Sequence, residues 1–161
     1  MPSNSPDFFA ILEVLASHDV SFILVGGLAA VVHGAPIVTT DVDIVHLRSD
    51  ENVSRLEQAL LELGAVFRYH PAQISPNKTH LLSEGHQLLS TAHGNLDVLG
   101  TIDSGRDFGH LIESTCSFEL HGVTHTVLTL PELIAVKARA GRDKDRAVLP
   151  VLKNTLLLRG G

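Results

Sequence analysis

The sequence predicts an α+β fold in which helices pack on a mixed β-sheet and a pair of helices closes the chain. Segments with helical and strand-like patterns alternate over the first 65 residues, in the order α-β-α-β-α. Several short strand-like runs follow, and two longer helical segments separated by Gly141 end the sequence. Because 161 residues suit one domain, we expect a single domain over 1–161 with its core at about 7–153.

Each element of the first half has its own signal. Ser5-Pro6-Asp7 is typical of a helix start, because it offers a cap, a proline at the first position and an acid for the dipole. Ser49 is expected to cap a later helix, and a Gly-Gly turn is expected before the short helix. The predicted elements are a helix from Asp7 to His18, strand Val20–Val25, helix Leu28–His33, strand Val42–Leu47 and helix Glu51–Leu63.

The second half combines short strands with the closing helices. A proline-containing loop over 71–78 interrupts a strand-rich stretch, and His121-Gly122 is typical of a hairpin turn. The predicted strands are residues 65–70, His80–Ser83, Gln87–Ser90, Asn95–Leu99, Cys116–Leu120 and Val123–Leu128. The predicted helices are Arg106–Ser114, Pro131–Ala140 and Asp143–Leu157.

Composition excludes several classes of protein. A net charge of −6 argues against non-specific binding of nucleic acid, which depends on neutralising phosphates. A single cysteine, Cys116, excludes an internal disulfide, and its strand-like neighbours predict a buried structural thiol. The sequence contains no long apolar run and no signal peptide pattern, so we expect no membrane span and a cytoplasmic location.

The most informative stretch places Gly26-Gly27 after a strand and Asp41-Val42-Asp43 on the next strand. Side chains alternate along a strand, so Asp41 and Asp43 project from the same face with Cα atoms about 6.5–7 Å apart. Two such carboxylates repel each other unless a cation lies between them or one binds a proton, and Mg²⁺ suits carboxylates and phosphates. Taken alone, a Gly-Gly pair is often only a turn, and an Asp pair is often only a solvated face.

These residues resemble the first motif of the DNA polymerase beta-type nucleotidyltransferases, and especially the small bacterial members linked to abortive infection and toxin–antitoxin systems. The resemblance covers roughly residues 7–153 and includes Leu96-Asp97-Val98-Leu99 and the segment from Leu130 to Asp145. It implies transfer of an NMP from an NTP to a hydroxyl or phosphate on RNA, a protein or a small molecule. Asp41, Asp43 and Asp97 would be the catalytic acids and would hold two Mg²⁺ or Mn²⁺ ions.

The same resemblance implies how the NTP would be bound. The residues expected at its phosphates are Gly26, Gly27, Thr39, Thr40, Lys137 and Lys144, with Arg142 as an alternative to Lys144. Both lysines lie on the predicted C-terminal helices. The alternative interpretation is that they belong to an ordinary solvated helix face. Asp103 competes with Asp97 for the third acid position, but Asp97 lies within an apolar strand and would need a partner there.

One departure from the family pattern affects the functional prediction. Many relatives have an arginine shortly before the two aspartates, whereas this chain has Val38 and no lysine or arginine between Val20 and Arg48. An alternative is therefore a weakly active or inactive member that acts as a binding or regulatory subunit, for example with a partner protein in a toxin–antitoxin pair. The ten histidines have no cysteine partner at a zinc-like spacing, and His46 is the one that could approach the predicted metal ions.

Overall fold

The computed structural model describes residues 5–160. Within that range the helices are α1 (Phe8–Ser17), α2 (Gly26–Val32), α3 (Asp50–Glu62), α4 (Lys78–Leu82), α5 (Phe108–Leu111), α6 (Leu130–Ala140) and α7 (Asp143–Leu158). A single 3-10 turn, Ile112–Ser114, follows α5. The predicted closing pair of helices is therefore confirmed, and the left-handed Gly141 (φ +65°) separates its two members.

The described strands form one seven-stranded mixed sheet. They are β1 (Phe22–Val25), β2 (Asp41–His46), β3 (Val66–Phe67), β4 (His86–Thr91), β5 (Gly94–Leu99), β6 (Thr115–Leu120) and β7 (Val123–Leu128). Their spatial order is β3-β4-β5-β2-β1-β7-β6, with β2 parallel to β5 and antiparallel to β1. The α+β class with a mixed sheet is thus confirmed.

Strand β2 lies near the centre of the sheet and has two different faces. Val42 and Ile44 are fully buried, as are Leu96 and Val98 of β5, and α1 packs on β2 and β5. The intervening residues of β2 and β5 project from the opposite face. The apolar face anchors both strands in the core, so the polar side chains of the opposite face are held in a fixed register.

Several local predictions need correction. The side chain that caps α1 is that of Asp7, which accepts from the N–H of Ala10 at 3.1 Å, rather than that of Ser5. Gly26 and Gly27 form the first turn of α2 instead of a separate turn before it. Cys116 is exposed, so the prediction of a buried thiol is wrong.

The predicted strand His80–Ser83 is also wrong, because this stretch lies largely in α4. Asn77 and His80 form a reciprocal capping box: the Asn77 side chain accepts from the N–H of His80, and His80 Nδ1 accepts from the N–H of Asn77. Such a box satisfies two N–H groups at a helix start and stabilises even a short helix. The Ser49 cap of α3, in contrast, is confirmed, since its hydroxyl accepts from the N–H of Asn52 at 3.1 Å.

Across residues 5–160, no helix combines the length and apolar character needed to cross a membrane.

Candidate active site

Three carboxylates converge on the polar face of the sheet. Asp41 and Asp43 belong to β2, and Asp97 lies directly opposite Asp43 on the parallel strand β5. One carboxylate oxygen from each residue lies within 4.8 Å of the others, and all three side chains are partly buried. The structure therefore brings together the three acids that the sequence analysis selected.

Asp43 has the most unusual environment of the three. Its Oδ1 is buried and has no hydrogen-bond partner among the described residues. Burial, together with the charge and hydrogen bond of Asp97 and the charge of Asp41, raises the pKa of Asp43 to about 7. An unpaired buried acceptor is costly, and a bound cation would satisfy it. The donor set of three hard oxygens fits a divalent ion such as Mg²⁺ or Mn²⁺.

Gly26 is required by the close approach of α2 to Asp43. Its φ is +71°, and a Cβ built on it would lie 2.1 Å from Asp43 Oδ2. Any side chain at this position would therefore collide with the carboxylate. A Cβ on Gly27 would similarly lie 2.8 Å from the Oγ1 of Thr39, whose hydroxyl donates to the Asp41 carbonyl at 3.1 Å. The two glycines allow the start of α2 to lie directly against the acids and the threonine segment.

A small cavity of about 220 Å³ adjoins this contact, and we call it the glycine cavity. All six residues predicted to bind the nucleotide line it: Gly26, Gly27, Thr39, Thr40, Lys137 and Lys144. The glycine cavity therefore offers two lysines, two threonine hydroxyls and the start of a helix. Such groups donate hydrogen bonds to phosphate oxygens. Val38, which is 94% exposed, also lines the glycine cavity.

A larger cavity of about 530 Å³ shares Gly26 and Lys137 with the glycine cavity, and we call it the α6 cavity. Asp43 lines it, and so do apolar side chains that include Leu99, Ile102 and Val136. Lys137 borders both cavities, and its charge acts to lower the pKa of Asp43. The two cavities therefore meet at Gly26 and Lys137, beside Asp43.

Asp103, the alternative to Asp97, is not part of the acidic cluster. Its side chain is only 7% exposed and forms ion pairs with Arg139 at 2.7 Å and Arg106 at 3.0 Å. The hydrogen bond from Arg139 is the main reason why the pKa of Asp103 lies below its ordinary value. Asp103 is thus an internally paired acid, whereas Asp97 adjoins Asp41 and Asp43.

Arg68 is a further charged residue at the acidic cluster, and no sequence motif pointed to it. Its Nη2 donates to Asp97 Oδ1 at 2.6 Å and to the Leu89 carbonyl at 2.9 Å, and the side chain is 14% exposed. Arg68 therefore supplies a cation to the acidic cluster from the far side of the site. Only the pairing of β3 with β4 brings it there, so no motif spacing along the sequence could have revealed it.

His46 does not join the site. It is 1% exposed, and its Nε2 lies 2.6 Å from the carbonyl oxygen of Leu81. Burial lowers the pKa of His46 and so favours the neutral ring. This histidine is consequently part of the core at the far end of β2.

Comparisons with known proteins identify the fold. No model of a known protein family matches the sequence, and no curated protein matches it. Similar solved structures include a lincomycin-bound lincosamide antibiotic adenylyltransferase, LnuA (TM-score 0.64, 15% identity, 95% of this chain and 99% of that chain). Another is ANT(2")-Ia in complex with adenylyl-2"-tobramycin (TM-score 0.58, 14% identity, 92% and 87%).

A third similar structure is a putative nucleotidyltransferase from Thermotoga maritima, with a TM-score of 0.56 and 20% identity. The match covers 91% of this chain and 90% of that chain. This chain therefore has a nucleotidyltransferase fold over most of its length, as the resemblance in the sequence implied.

Proposed function

We propose that the protein is a metal-dependent nucleotidyltransferase that moves an NMP from an NTP to a hydroxyl or phosphate acceptor. The observation that carries this proposal is the unpaired Asp43 Oδ1, which lies in a cluster of three acids beside the glycine cavity. A bare solvated face would not bury an acceptor in this way. The nucleotidyltransferase fold supports the same reaction class.

Asp41, Asp43 and Asp97 would hold the metal. Mg²⁺ or Mn²⁺, when bound, supplies charge stabilisation at the transferred phosphoryl group and lowers the pKa of the attacking hydroxyl. Asp43 contributes the oxygen that has no other partner, and Gly26 leaves room for it. Arg68 donates to one oxygen of Asp97 and so fixes the orientation of that carboxylate.

The glycine cavity would bind the phosphates of the NTP. Gly26 and Gly27 allow backbone to approach closely, and the hydroxyls of Thr39 and Thr40 can donate to phosphate oxygens. Lys137 and Lys144 would balance the negative charge that develops on the leaving pyrophosphate. These assignments also agree with the roles that the sequence resemblance implied.

The acceptor best supported is a small molecule. The α6 cavity has the volume of a ligand pocket, is partly apolar, and adjoins Asp43. RNA would need a basic surface, whereas the chain has a net charge of −6. Two of the similar structures contain lincomycin or adenylyl-2"-tobramycin, so antibiotics of these two classes are suitable first acceptors to assay.

A second candidate is a nucleotide-binding subunit with little activity and a regulatory role with a partner protein such as that of a toxin–antitoxin pair. The observation in its favour is Val38, which leaves the glycine cavity without the cation found in many relatives. The intact cluster of three acids favours the enzyme instead.

Calorimetry with Mn²⁺ and each of the four NTPs, combined with an assay of pyrophosphate release, tests the proposal. We expect at least one NTP to bind and to be turned over, and we expect Asp97→Asn to remove turnover. Asp50→Asn is the control, because Asp50 is a surface acid with a side chain 82% exposed. Binding without turnover for every acceptor would favour the regulatory subunit, and failure of all NTPs to bind would reject both functions.

A further inference from the structure

Asp145 is a buried charge that the proposed chemistry leaves without a role. It lies in the first turn of α7, and its side chain is 0% exposed. Its Oδ2 accepts from Arg142 Nε at 2.7 Å and from the Arg142 backbone N–H at 3.3 Å. Its Oδ1 accepts from Lys137 Nζ at 3.1 Å and from Arg142 Nη2 at 3.3 Å.

The two oxygens of Asp145 make different contacts, one within the start of α7 and one with α6. Capping the start of α7 requires only the contact between Oδ2 and the Arg142 N–H. The contact with Lys137 joins α7 to α6 and adds nothing to that cap. Burial acts to raise the pKa of Asp145, but hydrogen bonds from Arg142 and Lys137 outweigh it and lower the pKa to about 2, so the carboxylate stays charged.

Lys137 is the residue that Asp145 holds at the site. Its side chain is 27% exposed and borders both the glycine cavity and the α6 cavity. The positive charge of Lys137 acts to lower the pKa of Asp43. An ammonium group has three N–H donors, and Asp145 uses one of them, which leaves two for phosphate oxygens. Because Arg142 also pairs with Asp145, the three charged groups together retain one net positive charge.

We propose that Asp145 is a positioning residue that fixes the Lys137 ammonium where the two cavities meet, so that it can bind the phosphates of the nucleotide. A lysine side chain is long and flexible, and an unsupported one would lose more conformational freedom on binding a phosphate. Fixing it in advance should strengthen phosphate binding itself. This inference rests on the proposed function, because it assumes that the glycine cavity takes phosphates.

Equilibrium binding of inorganic pyrophosphate and of Mn²⁺-ATP tests the inference with four variants. They are Asp145→Asn, Lys137→Met, the double variant and the matched control Asp143→Asn. Asp143 lies on the same helix, its side chain is 95% exposed, and among the described residues it pairs only with Arg146. Asp143→Asn therefore removes the same charge as Asp145→Asn but does not affect a contact with Lys137.

We expect Asp145→Asn and Lys137→Met each to weaken pyrophosphate binding roughly tenfold, and the double variant to be no weaker than Lys137→Met, since coupled residues are not additive. Asp143→Asn should bind like the wild type. Additive losses in the double variant, or unchanged binding by Asp145→Asn, would overturn the inference. If the wild type binds neither pyrophosphate nor any NTP, the proposed function fails instead.

A second measurement covers the case in which Asp145→Asn does not fold. The ammonium signal of Lys137 in ¹⁵N-lysine-labelled wild-type protein, assigned by its absence in Lys137→Met, should be slow to exchange and should shift on addition of pyrophosphate. A rapidly exchanging signal would mean that Asp145 does not hold the ammonium, and a slowly exchanging signal that pyrophosphate leaves unmoved would exclude its role in phosphate binding.

Discussion

Two aspartates that interact with Lys137 have contrasting surroundings. Asp43, on the sheet, has a buried oxygen without a hydrogen-bond partner among residues 5–160 and a pKa raised to about 7. Asp145, at the junction of α6 and α7, is fully covered, receives hydrogen bonds from Lys137 and Arg142, and has a pKa lowered to about 2. The paired carboxylate of Asp145 is suited to a supporting role, whereas the partnerless oxygen of Asp43 is available to a bound cation. The contrast separates the part of the site that binds from the part that supports it.

The largest expected effect follows from removing the charge of Asp43. Asp43→Asn should lower transferase activity by about 10³-fold or more, because a metal contributes several kcal/mol to transition-state stabilisation. The same variant should raise the stability of the metal-free protein at pH 8, since it relieves repulsion among Asp41, Asp43 and Asp97. Activity assays and urea unfolding in EDTA measure the two effects. A variant that is both less active and less stable would mean that Asp43 is structural.

Gly26 provides the next test, because its missing side chain makes room for Asp43. Gly26→Ala should weaken Mn²⁺ binding by roughly 10–100-fold, the range typical of disturbed metal surroundings. Gly64→Ala is the matched control, because Gly64 has a similar φ of +64° but an added Cβ there would meet nothing within 4 Å. Both variants should lose some stability from the left-handed backbone, but only the first should lose metal affinity. Equal Mn²⁺ affinities in calorimetry would show that the contact with Asp43 does not matter.

A smaller effect is expected from adding a cation to the glycine cavity. Val38→Arg should lower the KM for the NTP by at most roughly fivefold, since an exposed ion pair contributes about 0.2–1 kcal/mol. Leu61→Arg adds the same charge on α3 at an exposed position and should leave KM unchanged. A higher KM in Val38→Arg would place the phosphates elsewhere.

A further prediction distinguishes the two aspartates by the pH dependence of stability. Asp43, with its pKa raised from 3.8, binds more protons in the folded state, so its contribution to stability falls as pH rises from about 4 through 7. Asp145, with its pKa lowered from 3.8, contributes above that value and loses its contribution as pH falls towards 2. Urea unfolding of metal-free wild type and Asp43→Asn between pH 4.5 and 8 should therefore give different slopes. Parallel curves would be inconsistent with the raised pKa of Asp43.

The position of the acids could be predicted from the sequence only in part by local rules. Strand alternation places Asp41 and Asp43 on one face, whereas Asp97 was selected because the family resemblance implies a third carboxylate on a later strand, and its apolar neighbours favoured it over Asp103. Arg68 and the role of Asp145 were not predictable, because each depends on elements that meet only in the folded chain. Arg68 reaches Asp97 through the two-residue strand β3, and Asp145 reaches Lys137 through the packing of α7 on α6. Local patterns do not encode such distances.

The most direct test of the account is to locate an ion crystallographically. Crystals of the wild-type protein soaked in Mn²⁺ at pH 8 should give an anomalous difference peak among the carboxylates of Asp41, Asp43 and Asp97, and crystals of Asp43→Asn should give none. A wild-type map with no peak there, at a pH where Asp43 is ionised, would contradict the assignment of these acids as an ion-binding site.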